Sequence, residues 1–242
     1  MSSSRRCGRT ANVAVVTDPD PRLDIERLNA TRAEFSPEQI PGELAFQRLY
    51  GVCTPLDPQQ AKALFDPSGL EWWVAGGWAI EAFTGVPRHH EDIDVSFWRR
   101  DVAALIRHVA GRYDVWAASD GALSPMVDDL AVLPDGADQV WLREHSLAPW
   151  RVDCLLNPDR DGRWVNRREP DWDAPLEEIT FVGEGVRYLN PEIALGYKAK
   201  GDRPKDRADL ETALPLMNDE QRAWLAAFLD RVHPGHPWRS RV

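Results

Sequence analysis

The chain has 242 residues, enough to bury a sizeable core as one large domain or two small ones. With 43% apolar and 28% charged residues it sits near the globular average, which excludes wholesale disorder. A net charge of −10 disfavours nucleic acid as a partner and suits a cationic small molecule.

Residues 1–36 read as a poorly ordered extension that mixes Ser, Arg, Asp and Pro, with one short helix over 24–33. From Ser36-Pro37 helices are expected, with Leu44, Phe46, Leu49 and Tyr50 as buried positions. Asp57-Pro58 is an N-cap followed by proline at the first helical position, opening a helix through Phe65. A strand over 72–75 meets the Gly76-Gly77 turn, and a short helix over 78–83 is closed by Gly85. The next strand covers 93–98. Val102, Leu105, Ile106 and Val109 have helical spacing over 101–109, and 113–118 is again strand-like.

Residues 119–149, rich in Gly, Pro and Asp, carry no clear period. Residues 150–156 alternate as a strand, and shorter strand-like pieces follow at 163–168, 178–182 and 186–189. Helical patterns then run over 191–200, 204–214 and 219–232. The expected fold is α+β: a mixed sheet flanked by helices over 37–190, with a helical C-terminal region over 191–242 packed on it.

Asp92-Ile93-Asp94 follows the glycine pair. On a strand, residues i and i+2 share a face, so the two carboxylates would stand side by side, and a divalent cation relieves their repulsion. Gly76-Gly77 offers backbone N–H groups to phosphates. The combination points to a metal–nucleotide site.

Gly76-Gly77-Trp78-Ala79-Ile80-Glu81 with Arg88, His90 and Asp92-Ile93-Asp94 resembles the nucleotidyltransferase (polymerase-β-like) superfamily, and within it the aminoglycoside 2''-adenylyltransferase family. The similarity extends to Val152-Asp153-Cys154, Asn190-Pro191-Glu192, Lys198-Ala199-Lys200 and Arg203-Pro204-Lys205-Asp206, covering roughly 60–230. The resemblance implies Mg²⁺-dependent transfer of AMP from ATP to a hydroxyl of a small molecule, an aminoglycoside among the candidate acceptors. It implies that Asp92 and Asp94 bind metal, and that Asp153 completes the metal site and serves the acceptor hydroxyl. Phosphate contacts at Gly77, which lacks the serine hydroxyl frequent at this position, would come from backbone N–H groups, including that of Trp78.

Several residues also have plainer readings. Arg88 and His90 either reach triphosphate oxygens or tether the loop. Lys205, ahead of Lys198 and Lys200, is the basic C-terminal residue chosen for phosphate, against a solvated helix face paired with Asp202, Asp206 and Asp209. Asp128, Asp129, Asp135 and Asp138 are rivals to Asp153 in turn-rich sequence. Asp153 alternatively pairs with Arg151, Glu91 is an exposed or supporting carboxylate, and Cys154 is a buried thiol. Trp72, Trp73, Trp78 and Trp150 are expected mostly in the core.

Cys7, Cys53 and Cys154 are too few and too scattered for a disulfide framework or a zinc knuckle, which suits a reducing cytoplasm. No apolar run has membrane-spanning length, and no apolar stretch follows the N-terminal arginines, so neither a membrane nor a signal peptide is expected. The competing functions are a toxin-like or regulatory nucleotidyltransferase acting on tRNA or protein, and an inactive nucleotide-binding module. The absence of a concentrated basic patch counts against the first, and the intact Asp92, Asp94 and Asp153 against the second.

Overall fold

A computed structural model describes residues 40–119, 121–126 and 133–242. The expected extension over 1–36 with its helix over 24–33, the helix start at Ser36-Pro37, the side chain of Phe46, and Asp128 and Asp129 lie outside the described residues.

Helix α1 spans Ile40–Tyr50 and α2 spans Pro58–Phe65. The start of α2 follows from its sequence. The Gln60 N–H donates to Asp57 Oδ1 at 2.8 Å, the Asp57 N–H donates to Gln60 Oε1 at 3.1 Å, and Pro58 needs no partner. Leu49, expected to be buried, is 76% exposed, because it lies roughly 140° around α1 from the half-buried Leu44.

The chain continues through β1 (Trp72–Val74), α3 (Gly76–Thr84), β2 (Asp94–Trp98), α4 (Val102–Val109), β3 (Asp114–Ser119), β4 (Ala122–Pro125), β5 (Gln139–Arg143) and β6 (Val152–Asn157). Then come β7 (Asp159–Arg160), β8 (Arg163–Val165), β9 (Asp173–Ala174), α5 (Leu176–Ile179), β10 (Thr180–Gly183) and β11 (Val186–Leu189). Three helices follow: α6 (Pro191–Ala199), α7 (Pro204–Ala213) and α8 (Asp219–Val232).

Among the described residues eight strands form one mixed sheet in the order β10-β11-β1-β2-β6-β5-β3-β4. The pairs β1–β11 and β2–β6 are parallel and the others antiparallel. Strands β7, β8 and β9 make a small separate sheet. The α+β fold class is the one expected.

Some boundaries differ from the sequence reading. Helix α3 begins at Gly76, two residues early, so the glycine pair forms its first turn instead of a preceding loop. The unreadable stretch 119–149 supplies β4, which forms a hairpin with β3, and β5, which pairs with β3 and β6; both are short pieces among turn residues. A helical turn opened by Pro175 replaces the start of the strand expected at 178.

Alternation across the sheet divides its two faces. Val95, Phe97, Val140, Leu142, Val152, Cys154 and Leu156 are all buried on one face, where Phe65 of α2 meets Phe97 edge-on with ring centroids 5.0 Å apart. Burying each such side chain contributes on the order of 1.5–3 kcal/mol. The residues between them, including Asp94, Ser96, Asp153, Leu155 and Trp141, project to the opposite face. That opposite face carries the chemistry.

Candidate active site

Asp94 opens β2, and its register partner across the parallel pair is Asp153 of β6. The Asp153 N–H donates to the carbonyl of Ile93 at 3.0 Å, which fixes that register. Two carboxylates therefore stand side by side on adjacent strands, facing the same way. Burial, then the charge of Asp92, holds the Asp94 carboxyl up to about 7, while Lys198, Lys205 and Arg203 pull it down. Burial, then Asp94 and Asp92, pushes Asp153 well above the usual carboxylate range, opposed by Arg167 and a hydrogen bond from Trp141. The Asp153 Oδ1 atom is buried without a hydrogen-bond partner.

Asp92 sits differently from the expectation. It lies in the loop before β2 and is exposed, so it does not share a strand face with Asp94. The loop is held by a clamp from α3. Trp78 stacks on His90 at 3.8 Å and its indole N–H donates to the Asp92 carbonyl at 3.2 Å. His90 Nε2 lies 2.8 Å from Glu81 Oε2, the oxygen that also accepts the Arg88 N–H. Burial lowers the His90 pKa, and the bond to Glu81 partly offsets this. In this structure His90 is held between Glu81 and Trp78.

The glycines are explained by close approach. Gly76 has φ +62, and a Cβ there would overlap the Asp94 carboxylate. A Cβ on Gly77 would overlap the Arg88 guanidinium and come within 3.1 Å of His90 Nδ1. Arg88 thus lies against the first turn of α3, where backbone N–H groups are unpaired within the helix.

Ion pairs then tie this loop to the C-terminal helices. Arg88 grips Asp209 through two bonds, at 2.9 and 3.2 Å. Lys198 of α6 meets the same carboxylate at 2.9 Å and Asp206 at 3.4 Å, and Arg203 meets Asp206 at 2.8 Å. Lys205, the residue favoured for phosphate, pairs with Glu91 at 3.2 Å, and Lys200 is exposed. Asp206 and Asp209, which the alternative reading placed on a solvated helix face, are 0% and 3% exposed. Asp206, Asp209, Leu210 and Ala213 are all buried on one stripe of α7, a period that was present in the sequence but masked by the alternating charges.

Beside Asp94 opens a cavity of about 470 Å³ over the polar face of the sheet. Ser96, Leu155 and Asn157 contribute to its floor, and Lys198, Arg203, Arg167 and Arg168 place cations on its walls. Arg167 and Arg168, which the sequence reading did not select, follow β8. Arg168 lies 4.6 Å over the Tyr197 ring. Asp138 pairs with Arg99 at 3.2 Å and with Arg167 at 3.4 Å. Among the described residues no group of three or more His, Cys, Asp or Glu side chains is placed to hold a metal ion.

Residues 59–113 match the family model described as aminoglycoside-2''-adenylyltransferase. The chain resembles that family. The matched segment carries the α3 glycines, Arg88, His90, Asp92 and Asp94; Asp153, Lys198 and Asp209 lie beyond it. A 2''-aminoglycoside nucleotidyltransferase of Klebsiella pneumoniae is 40% identical over 57 residues, covering 22% of this chain and 32% of that protein. One from Escherichia coli is 41% identical over 54 residues, covering 21% and 30%. The match thus spans about a third of the length of these relatives.

Among solved structures, ANT(2")-Ia in complex with adenylyl-2"-tobramycin has a TM-score of 0.45 at 21% identity, covering 72% of this chain and 95% of that one. The lincosamide adenylyltransferase LnuA, lincomycin-bound, has a TM-score of 0.49 at 16% identity, covering 69% and 99%. Among the described residues no helix is long and apolar enough to cross a membrane.

Proposed function

We propose that the protein is a nucleotidyltransferase that moves AMP from ATP to a hydroxyl of a small molecule, with aminoglycosides as the first acceptors to try. The observation that carries this reading is the pairing of Asp94 with Asp153 in register beside the Gly76-Gly77 turn. The cations of the adjoining cavity suit a triphosphate.

The donor set fits Mg²⁺. It is all carboxylate oxygen, and it includes the buried Asp153 Oδ1, which has no hydrogen-bond partner. Asp94 and Asp153 would hold the metal with Asp92 at the margin, and bound Mg²⁺ would neutralise charge on the α-phosphate and the departing pyrophosphate. The first turn of α3 offers backbone N–H groups to the phosphates. Lys198 and Arg203 balance phosphate charge from the C-terminal side. Asp153 accepts the proton of the acceptor hydroxyl as the new oxygen–phosphorus bond forms and the α–β anhydride bond breaks, releasing pyrophosphate.

The test is incubation with α-labelled ATP and Mg²⁺ in the presence of aminoglycosides, total tRNA or candidate proteins. Label moving to an aminoglycoside supports the reading. Label moving to tRNA or protein selects the regulatory alternative, and no label on any acceptor with ATP bound selects the inactive module.

A further inference from the structure

Asp153 belongs to a transverse row of side chains. Its register partners are Asp94 on β2 and Trp141 on β5, and Trp141 in turn is opposite Trp116 on β3. Register partners project to the same face, so Asp94, Asp153, Trp141 and Trp116 follow one line across four neighbouring strands. At about 4.8 Å per strand, Trp141 lies one spacing beyond the carboxylate and Trp116 two. Both are on the side away from Gly76.

The two indoles are half-buried and firmly set. Each meets the buried Trp150 edge-on, with centroids 5.4 Å apart for Trp141 and 5.9 Å for Trp116. The Arg143 guanidinium lies between Trp116 and Trp150, at 4.2 and 4.3 Å from their centroids. Trp73 and Trp98 also project to the carboxylate face and are 1% exposed, whereas Trp141 and Trp116 keep part of their surface open on that face.

We infer that Trp141 and Trp116 form the acceptor platform: a sugar ring laid on these indoles by its C–H face carries its hydroxyl to Asp153. This rests on the transfer reading above. An indole face takes the apolar face of a pyranose and leaves the ring's hydroxyls pointing sideways, towards the neighbouring strand. Arg143 already supplies Trp116 with a cation, so the ring is better matched to a neutral C–H face than to a second ammonium. Two indoles one strand apart match an acceptor of two linked rings.

The full chain is titrated calorimetrically with α,β-methylene-ATP and Mg²⁺, and separately with tobramycin and lincomycin as ring-bearing probes. At least one ring-bearing probe is expected to bind. Trp116→Ala should weaken that probe about tenfold or more, and Trp116→Phe by less than about threefold, with nucleotide affinity unchanged. Trp116→Leu, which keeps apolar bulk without an aromatic face, should behave like Trp116→Ala and serves if the alanine variant does not fold. Failure of both probes to bind, undiminished binding by the Leu and Ala variants, or a parallel loss of nucleotide affinity overturns the platform. Failure of the nucleotide titration in the unaltered protein instead counts against the transfer reading and leaves Trp116-dependent sugar binding to stand or fall on its own titration.

Discussion

Asp94 and Asp153 face each other in register across the parallel β2–β6 pair, and burial followed by like charge raises both carboxyl groups. The pair is a stored repulsion that a cation between the strands would relieve.

Stability without divalent ions should report this. Asp94 titrates at about 7 in the fold against 3.8 in the free side chain, so the unfolded chain loses the proton first. The group therefore favours the fold most below the unfolded value, and stability falls as pH climbs from there towards 7. Asp94→Asn should melt higher than the unaltered protein at pH 7 in chelator, and the gap should close in acid. The same variant should have no transferase activity. A variant that melts no higher at neutral pH would contradict the cost assigned to the Asp94 carboxylate, which is burial first and the charge of Asp92 second.

Asp153→Asn should lower turnover by about 10²–10⁴, the range for loss of a general base. ATP affinity should fall far less, because Asp94 and the cations of α6 and α7 remain. Turnover, ATP affinity and melting temperature measured on one preparation separate this from a structural role, which would lower only the melting temperature.

Gly76→Ala combines two costs: a left-handed backbone, worth about 1–2 kcal/mol, and overlap with the Asp94 carboxylate. Gly85→Ala is the control, since Gly85 has φ +68 with nothing within 4 Å of a built Cβ. Both variants should melt lower. Only Gly76→Ala should also lose nucleotide affinity, as measured by calorimetry.

Asp209→Ala removes the carboxylate shared by Arg88 and Lys198. Leaving the largely buried Lys198 short of a partner should destabilise by about 3 kcal/mol. Asp209→Asn, which keeps the shape, should fold and raise the KM for ATP several-fold with a smaller change in kcat. Equal effects on both parameters would place Asp209 outside nucleotide binding.

Much of this site was legible because its information is local. The alternation at 152–156 placed Asp153 opposite the buried Cys154, and Asp57-Pro58 announced α2. What escaped depends on distant contacts. Strand β5 is five residues inside Gly-, Pro- and Asp-rich sequence and is placed by pairing with β3 and β6, and so the Trp141–Asp153 relationship could not be read. The solvated-face reading of Asp206 and Asp209 drew on the charges around them, Lys205 and Arg207; it is packing of α7 on α3 and α6 that buries them. Arg88 and His90 were left between two roles, and their partners in the fold, Asp209 and Glu81, are not near them in sequence or carry no local signal.

The two-faced character of β6 makes parity a constraint on how this chain can change. One residue inserted between Val152 and Asp153 would turn Cys154 and Leu156 into the cleft and drive the Asp153 carboxylate towards Val95 and Val140, so one event would remove the chemistry and break the core. Two residues would restore the facing but shift Asp153 off the transverse line. Length variation is therefore confined to the connections, and the distance in sequence between β2 and β6 is free to drift while the distance in space is not.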